Sequence, residues 1–331
     1  MKKIKFAIAG LGRIGKIHLE NLQLMDEVEV VAATDTHADG RQYAEKKGID
    51  RVFSSYEQMI KDSPIDAVVI CSPTDTHADY VEIAAYAGVA VFCEKPLDLN
   101  LGRVLEVLKL VESKGIKLML GFNRRFDQEF LKVKKLVTQG AIGNHHLVKI
   151  TSRDPQAPPI NYVVKSGGLF LDMTIHDFDM VKYLSGSEIS ELYVKGGCFV
   201  DPEIEKAKDV DTAIINMSLK NGVLATINNS RKAVYGYDQR IEVLGSKGVL
   251  KVENKHLNKV VKGTKEGFIS SNPQNFFIDR YEQSYKKELM NFVQSIRGDL
   301  VDHADADDGL HALKAGLAAN NSLLNNAPFL V

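Results

Sequence analysis

Residues 167–180, GGLFLDMTIHDFDM, set three aspartates and one histidine among leucine, isoleucine, phenylalanine and methionine. A carboxylate beside an imidazole can transfer protons: the imidazole takes or gives one near neutral pH, and the carboxylate orients the ring or stabilises its charged form. If the segment is helical from Leu171 onward, Asp172 and His176 are four residues apart and share one face. The alternative is a helix N-terminus capped by Asp172, with His176 a satisfied and partly buried residue. Metal binding by His176, Asp177 and Asp179 is disfavoured. Neighbouring helical positions diverge, and one histidine with scattered carboxylates matches no ligand spacing.

A second constellation is Gly10-Leu11-Gly12-Arg13-Ile14-Gly15, directly after the apolar run KIKFAIA. Glycines there permit a tight turn, let the backbone approach a pyrophosphate and allow close helix packing, while the helix N-terminus offers N–H groups to phosphate. The motif alone says little and could be a βα turn that binds nothing. Its setting, with a strand before, a helix after and Asp35 at the end of the next apolar run, is what a dinucleotide requires. Asp35 can accept from the adenosine ribose hydroxyls and repels a 2′-phosphate, so NAD is expected over NADP. Arg41 is either a phosphate partner or a solvated helix residue.

Two further strand ends carry polar groups where ligands of open parallel sheets lie. Cys93-Glu94-Lys95-Pro96 puts a lysine where it could hold a substrate oxygen, or is an ordinary strand terminus closed by proline. Ser72-Pro73-Thr74-Asp75-Thr76-His77 belongs beside the cofactor, or is a plain capping loop. Ser72, Thr74, His77, Glu94 and Lys95 are therefore candidate cofactor contacts.

These motifs need elements to hold them. Residues 3–9, 28–35, 65–73, 90–94 and 117–122 are short apolar runs, each separated by enough chain for a helix, which is the alternation of a parallel α/β sheet. Ile14, Ile17, Leu22 and Met25, and later Val104, Leu105, Leu108 and Val111, recur at helical spacing. After residue 122 the pattern changes. A helical stretch (RRFDQEFLKVKKLVTQG) leads to strand-like HLVKITS, then to the 167–180 segment, then to alternating runs joined by Asn221-Gly222, a hairpin signal. QRIEVLG turns at SKG into VLKVE. An α+β domain over 123–331, with helices on one face of an antiparallel sheet, follows a first domain over 1–122. Two terminal helices are expected near 277–297 and 305–325, and 256–276, rich in Lys, Gly, Ser and Asn, reads as a loop.

Composition narrows the partners. The chain has 331 residues, 44% hydrophobic and 26% charged, which suits two globular domains. Lys plus Arg total 42 against 43 for Asp plus Glu, so no basic excess points to nucleic acid or an acidic membrane surface. A small-molecule partner is expected. Three scattered cysteines, Cys71, Cys93 and Cys198, fit reduced thiols in a cytoplasmic protein. Arg13 and Lys16 interrupt the apolar N-terminal run, which reads as a strand and not a secretory signal. No uncharged apolar stretch reaches membrane-spanning length, so a soluble protein is expected.

Together the GxGxxG turn, the Glu-Lys-Pro strand end and the GGxFxDMxIHDFD segment resemble the glucose-fructose oxidoreductase, inositol dehydrogenase and MocA (Gfo/Idh/MocA) family, along essentially the whole chain. Gly121-Phe122-Asn123-Arg124-Arg125-Phe126-Asp127, Ser152-Arg153-Asp154-Pro155 with Pro158-Pro159 and Tyr162, and Tyr235-Gly236-Tyr237-Asp238 look most like its inositol 2-dehydrogenases. The resemblance implies a Rossmann domain followed by an α+β domain with a large, open, mainly antiparallel sheet. It also implies NAD-dependent oxidation of a ring hydroxyl of a cyclic polyol and a homo-oligomer, a tetramer. By motif position Lys95 binds the reacting oxygen, His176 is the general acid/base, and Asp172 orients His176 and binds substrate. Arg125, Asp154, Asp179 and Tyr235 follow as substrate contacts. Each has a plainer reading: a helix-start charge for Arg125, a turn-forming carboxylate for Asp154, a solvated helix residue for Asp179 and loop packing for Tyr235. Another inositol isomer or an aldose is the rival substrate. A dinucleotide-binding regulator without turnover is the rival class, against which the retained Lys95, Asp172 and His176 argue.

Overall fold

The computed structural model describes residues 2–331. They form two compact units, one running to Phe126 and including Gln283–Leu310, the other made of Asp127–Glu282 and His311–Val331.

In the first unit β1 (Ile4–Ala9), β2 (Val28–Thr34), β3 (Arg51–Phe53), β4 (Ala67–Ile70), β5 (Ala90–Cys93) and β6 (Leu118–Leu120) alternate with α1 (Arg13–Gln23), α2 (Ala38–Lys46), α3 (Tyr56–Asp62), α4 (His77–Tyr86) and α5 (Leu101–Lys114). The strands pair in the order β3-β2-β1-β4-β5-β6 and run parallel throughout. All four residues of β4 and of β5 are buried, as expected of central strands covered by helices on both faces. The order reverses direction between β1 and β4, which opens a crevice at the carboxyl ends of those strands. β3 is the strand absent from the sequence reading: Arg-Val-Phe is too short to show a period.

Helix α1 is rotated relative to its apolar pattern. Gly15, His18, Leu19 and Leu22 are its buried residues, whereas Ile14 and Ile17 are only half-buried. Similarly, α5 buries Val104, Val107 and Val111 and leaves Leu105 exposed.

The second unit contains α6 (Gln128–Thr138), β7 (His145–Arg153), α7 (Ile160–Ser166), α8 (Ile175–Ser185), β8 (Ile189–Gly197), α9 (Pro202–Lys206), β9 (Thr212–Leu219), β10 (Leu224–Ser230), β11 (Asp238–Gly245) and β12 (Gly248–Val252). β13 (Val261–Thr264), β14 (Gly267–Ser270), α10 (Phe277–Ile296), α11 (Ala306–Asn325) and β15 (Phe329–Leu330) complete the chain. Its sheet has seven strands in the order β12-β11-β7-β10-β9-β8-β15. β7 and β10 run parallel and the other pairs antiparallel, so the sheet is mixed. The Asn221-Gly222 hairpin joins β9 to β10, with Gly222 at φ +83°.

The segment expected to be a loop, 256–276, instead holds the β13–β14 hairpin. All eight of its strand residues are exposed, so no buried face imposed the alternation by which a strand is recognised. Helix α10 straddles the two units, and its later residues Leu289, Phe292 and Val293 join Phe6, Ile8, Leu19 and Phe92 in the first unit's core.

Candidate active site

The glycine turn has the geometry that only glycine allows. Gly10 sits at φ +85°, and a Cβ there would lie 2.6 Å from the Cys71 carbonyl carbon and the Ser72 nitrogen. A Cβ on Gly15 would lie 1.9 Å from the Gly10 carbonyl oxygen, which sets how closely α1 approaches β1. At Gly12 a Cβ would meet nothing within 4 Å, and no side chain caps the start of α1 there. Open space over an uncapped helix N-terminus is what a pyrophosphate occupies.

Asp35 follows β2, where its Oδ2 accepts from Leu11 N–H at 2.7 Å and its Oδ1 from His37 N–H at 2.7 Å. A carboxylate has about four acceptor sites, so two remain for ribose hydroxyls. Arg41 turns its Nη1 to the carbonyls of Asp35 and Thr36, at 2.8 and 2.9 Å, and so braces that turn. These residues fit NAD. Asp35→Ser is expected to raise NADP use relative to NAD by removing the charge that repels a 2′-phosphate. Because Asp35 also holds the Leu11 amide, NAD affinity should fall as well. The two KM values measured side by side test this, and an unchanged ratio would contradict the role.

At the next strand ends the Thr76 hydroxyl donates to Ser72 Oγ at 2.6 Å within a 3₁₀ turn, Thr74–Thr76. His77 is not on the surface of this loop. It is buried, and its ring nitrogens lie 2.8 Å from the carbonyls of Pro96 and Ser72, so it ties the two strand-end loops together. Burial pushes its pKa down, and the two carbonyls oppose that shift. Glu94 sends Oε1 to His18 Nε2 at 2.8 Å, and Lys95 follows it on the Cys93-Glu94-Lys95-Pro96 stretch. Arg125, expected to meet substrate, is 5% exposed and paired through Nη1 with Asp308 at 2.9 Å, with the His303 carbonyl beyond at 3.4 Å. Its partner lies 183 positions along the chain, which no local pattern reveals.

The 167–180 segment carries its own explanation. Gly167, at φ +87°, ends α7. Gly168, at φ +77°, has Asp209 where a Cβ would be, with Oδ1 at 2.7 Å. The Asp209 carboxylate accepts the Leu169 N–H at 3.0–3.1 Å and starts a π-helical turn, Leu169–Met173, closed by Thr174 N–H on the Leu169 carbonyl at 2.9 Å. Asp172 and His176 are therefore separated by a π-to-α junction, a correction to the single α-helix expected, because the wider π turn changes the facing of residues four apart. Their exposure still singles them out. Asp172 and His176 are partly exposed, while every other residue from Leu169 to Val181 is buried.

The neighbouring carboxylates face inward. Asp177 accepts from Asn229 Nδ2 at 2.9 Å, and Thr174 Oγ1 donates to Asn229 Oδ1 at 2.7 Å, pinning α8 to β10. Asp179 is 1% exposed, which overturns the solvated alternative. Tyr235 donates to Asp238 Oδ2 at 2.6 Å and accepts from Arg153 Nη1 at 3.0 Å, so its hydroxyl is committed to a local network. Burial works to raise the Asp238 carboxyl, but bonds from Arg240, Tyr235 and Asn254 win and hold it below its ordinary range. Asp154 lies half-buried beside this network, its N–H on the Ser230 carbonyl at 2.9 Å.

Two residues given no role in the sequence reading stand beside Asp172. Tyr162 donates to Asp172 Oδ1 at 2.9 Å. Arg231, 1% exposed, holds Nη1 3.5 Å from Asp172 Oδ2 and Nη2 3.9 Å from Asp209 Oδ2. The only hint of Arg231 was a cation closing the run NNSRK.

A dinucleotide-type parallel unit followed by a mixed-sheet unit that presents an Asp–His pair defines a two-domain NAD-binding oxidoreductase. Residues 4–122 match the oxidoreductase family model with its NAD-binding Rossmann fold, and residues 130–251 match the GFO/IDH/MocA C-terminal domain. The chain belongs to the Gfo/Idh/MocA oxidoreductase family. It is 44% identical to the myo-inositol 2-dehydrogenase of Thermotoga maritima over 97% of this chain and 96% of that one. It is 41% identical to the inositol 2-dehydrogenase of Rhizobium meliloti over 97% of each. The crystal structure of scyllo-inositol dehydrogenase from Lactobacillus casei with bound NAD(H) and scyllo-inositol matches at a TM-score of 0.93 and 34% identity, covering 99% of both chains.

Proposed function

We propose that this protein oxidises a ring hydroxyl of a cyclic polyol with NAD, converting myo-inositol to 2-keto-myo-inositol with formation of NADH. The observation that carries the reading is the exposure of Asp172 and His176 alone within an otherwise buried segment. The inositol dehydrogenases among its relatives support the substrate class.

Bound NAD supplies the hydride acceptor. The protein's own groups manage the proton and the charge: His176 takes the hydroxyl proton as the carbon–hydrogen bond breaks, and the Lys95 ammonium stabilises the developing alkoxide. Asp172, gripped by Tyr162 and Arg231, orients His176 and accepts from a substrate hydroxyl. Asp154 stands near enough to the Tyr235–Asp238 network to serve as a further hydroxyl contact. Inositols and hexoses tested one by one with NAD or NADP, read by absorbance of the reduced cofactor, should give the highest kcat/KM for myo-inositol with NAD. A better aldose, or reduction with none of them, would overturn the assignment.

The reading extends to assembly and setting. Ile214, Leu224 and Leu244 are exposed, while Ile215, Met217, Ala225 and Val243 on the same strands are buried, leaving one sheet face open, with these apolar side chains set among Asn216, Ser218, Thr226 and Glu242. That face serves a homotetramer, and a monomer by light scattering at assay concentration would rule it out. Three free cysteines are consistent with a reducing cytoplasm, and the reaction suits the breakdown of inositols. Among the described residues no helix is long and apolar enough to cross a membrane.

A further inference from the structure

Beneath the Glu94–Lys95 strand end lie buried ionisable groups that the reaction above does not use. His18 of α1 and Glu288 of α10 both have fully buried side chains. His18 Nε2 is bonded to Glu94 Oε1 at 2.8 Å and lies 3.9 Å from Glu288 Oε1. Among the described residues neither carboxyl oxygen of Glu288, nor His18 Nδ1, has a hydrogen-bond partner. The surrounding wall is aromatic: Phe92 and Tyr285 set their rings edge-on to the imidazole at 5.2 and 5.8 Å.

The three side chains could offer one ligand atom each to a metal, all within 4.8 Å of one another. The 2.8 Å between His18 Nε2 and Glu94 Oε1 is the length of a direct hydrogen bond, and Glu288 Oε1 stands farther off, at 3.9 Å from the same nitrogen. A proton sits between that nitrogen and Glu94 Oε1 without displacing either atom. A second carboxylate in the same dry space, with no donor of its own, is too costly to keep ionised. Burial, and after it the charge of Glu94, drive the Glu288 pKa well above the carboxylate range.

We propose that His18, Glu94 and Glu288 form a buried proton-holding cluster, Glu288 as the neutral acid and Glu94 as the carboxylate bonded to His18, that positions Lys95. The proposal rests on the role given to Lys95 above. Glu94 is fixed at both ends: its N–H is bonded to the Ile70 carbonyl at 3.0 Å, and its carboxylate is held by His18 and abuts Gly121, where a Cβ would meet Oε2 at 2.9 Å. The direction in which Lys95 leaves the strand follows from a Glu94 held in this way. The titratable groups facing Glu288 are Glu94, His18 and Cys71. Were Glu288 ionised, two like charges would share the pocket and Glu94 would be forced off His18.

Infrared spectroscopy of the full-length protein without cofactor or substrate tests the protonation state directly. The carbonyl stretch of a protonated carboxyl should be present near neutral pH and lost in Glu288→Gln. Kinetics test the consequence: His18→Leu and Glu288→Ala should each lower kcat about 10- to 100-fold with little change in polyol KM, the signature of a displaced reacting group. Glu288→Gln, which keeps the neutral shape, should restore kcat relative to Glu288→Ala. The absence of a Glu288-dependent band, a stoichiometric metal by elemental analysis, or full kcat in a folded His18→Leu would each overturn the cluster. Because the infrared measurement needs no turnover, it stands whichever polyol proves to be the substrate and whether or not Lys95→Met retains activity.

Discussion

His176→Ala is expected to lower kcat by about 10² to 10⁴ while leaving NAD affinity nearly intact. The size of the effect is that of a general base removed from a step in which the hydroxyl proton must leave as hydride does. The split between kcat and cofactor binding follows from position. His176 lies in the second unit, in α8, whereas Gly10, Gly12, Gly15 and Asp35 lie in the first. Since only the neutral ring accepts a proton, wild-type activity should decline on the acidic side, and that limb of the profile should vanish in the alanine variant. Stopped-flow turnover across pH, alongside NAD titration by fluorescence, separates these outcomes. A variant that keeps full activity on every polyol would make the histidine structural.

Much of this site could be read from the chain because its parts are local. The glycine turn is six consecutive residues, the parallel strands are unbroken apolar runs, and Asp172 and His176 sit together on one short segment. What could not be read depends on partners brought together by topology. His18 falls on the buried face of α1 because Glu94, 76 positions away, receives its Nε2. The apolar pattern alone turned Ile14 and Ile17 inward instead. Arg125 and Tyr235 have the residue types of substrate contacts, but their partners Asp308 and Asp238 could not be read from local pattern. The π turn was invisible for a related reason. Its bond pattern begins at Leu169 because Asp209, 40 positions on, accepts that amide. Gly168 was a visible sign that something presses on the backbone there, but not of what.

Arg231→Leu is expected to be strongly destabilising. The guanidinium is 1% exposed and stands between the carboxylates of Asp172 and Asp209, with neither Nε nor Nη2 engaged in a hydrogen bond among the described residues. Its stabilisation is therefore mainly the attraction of one desolvated cation to two anions. Removing it leaves those anions facing one another, a loss on the order of 3–5 kcal/mol for a broken buried ion pair. The pH dependence carries a definite sign. Burial already raises the Asp209 carboxyl, and Arg231 is among the groups that restrain the rise. Without Arg231 the folded-state pKa climbs further above the unfolded one. In the window between those values the folded state binds more protons, so stability increases as pH falls. The variant should thus recover part of its lost thermal midpoint as the pH is lowered from neutral toward the ordinary carboxylate range, near about 4, while the wild type recovers less. A protonated Asp209 also grips the Leu169 amide less firmly. The π turn loosens, Asp172 shifts, and kcat falls with pH even as stability recovers. Arg231→Lys, which keeps the charge, should preserve most of the midpoint. A deficit in Arg231→Leu that is the same at every pH, with kcat unaltered, would show that the arginine merely fills space.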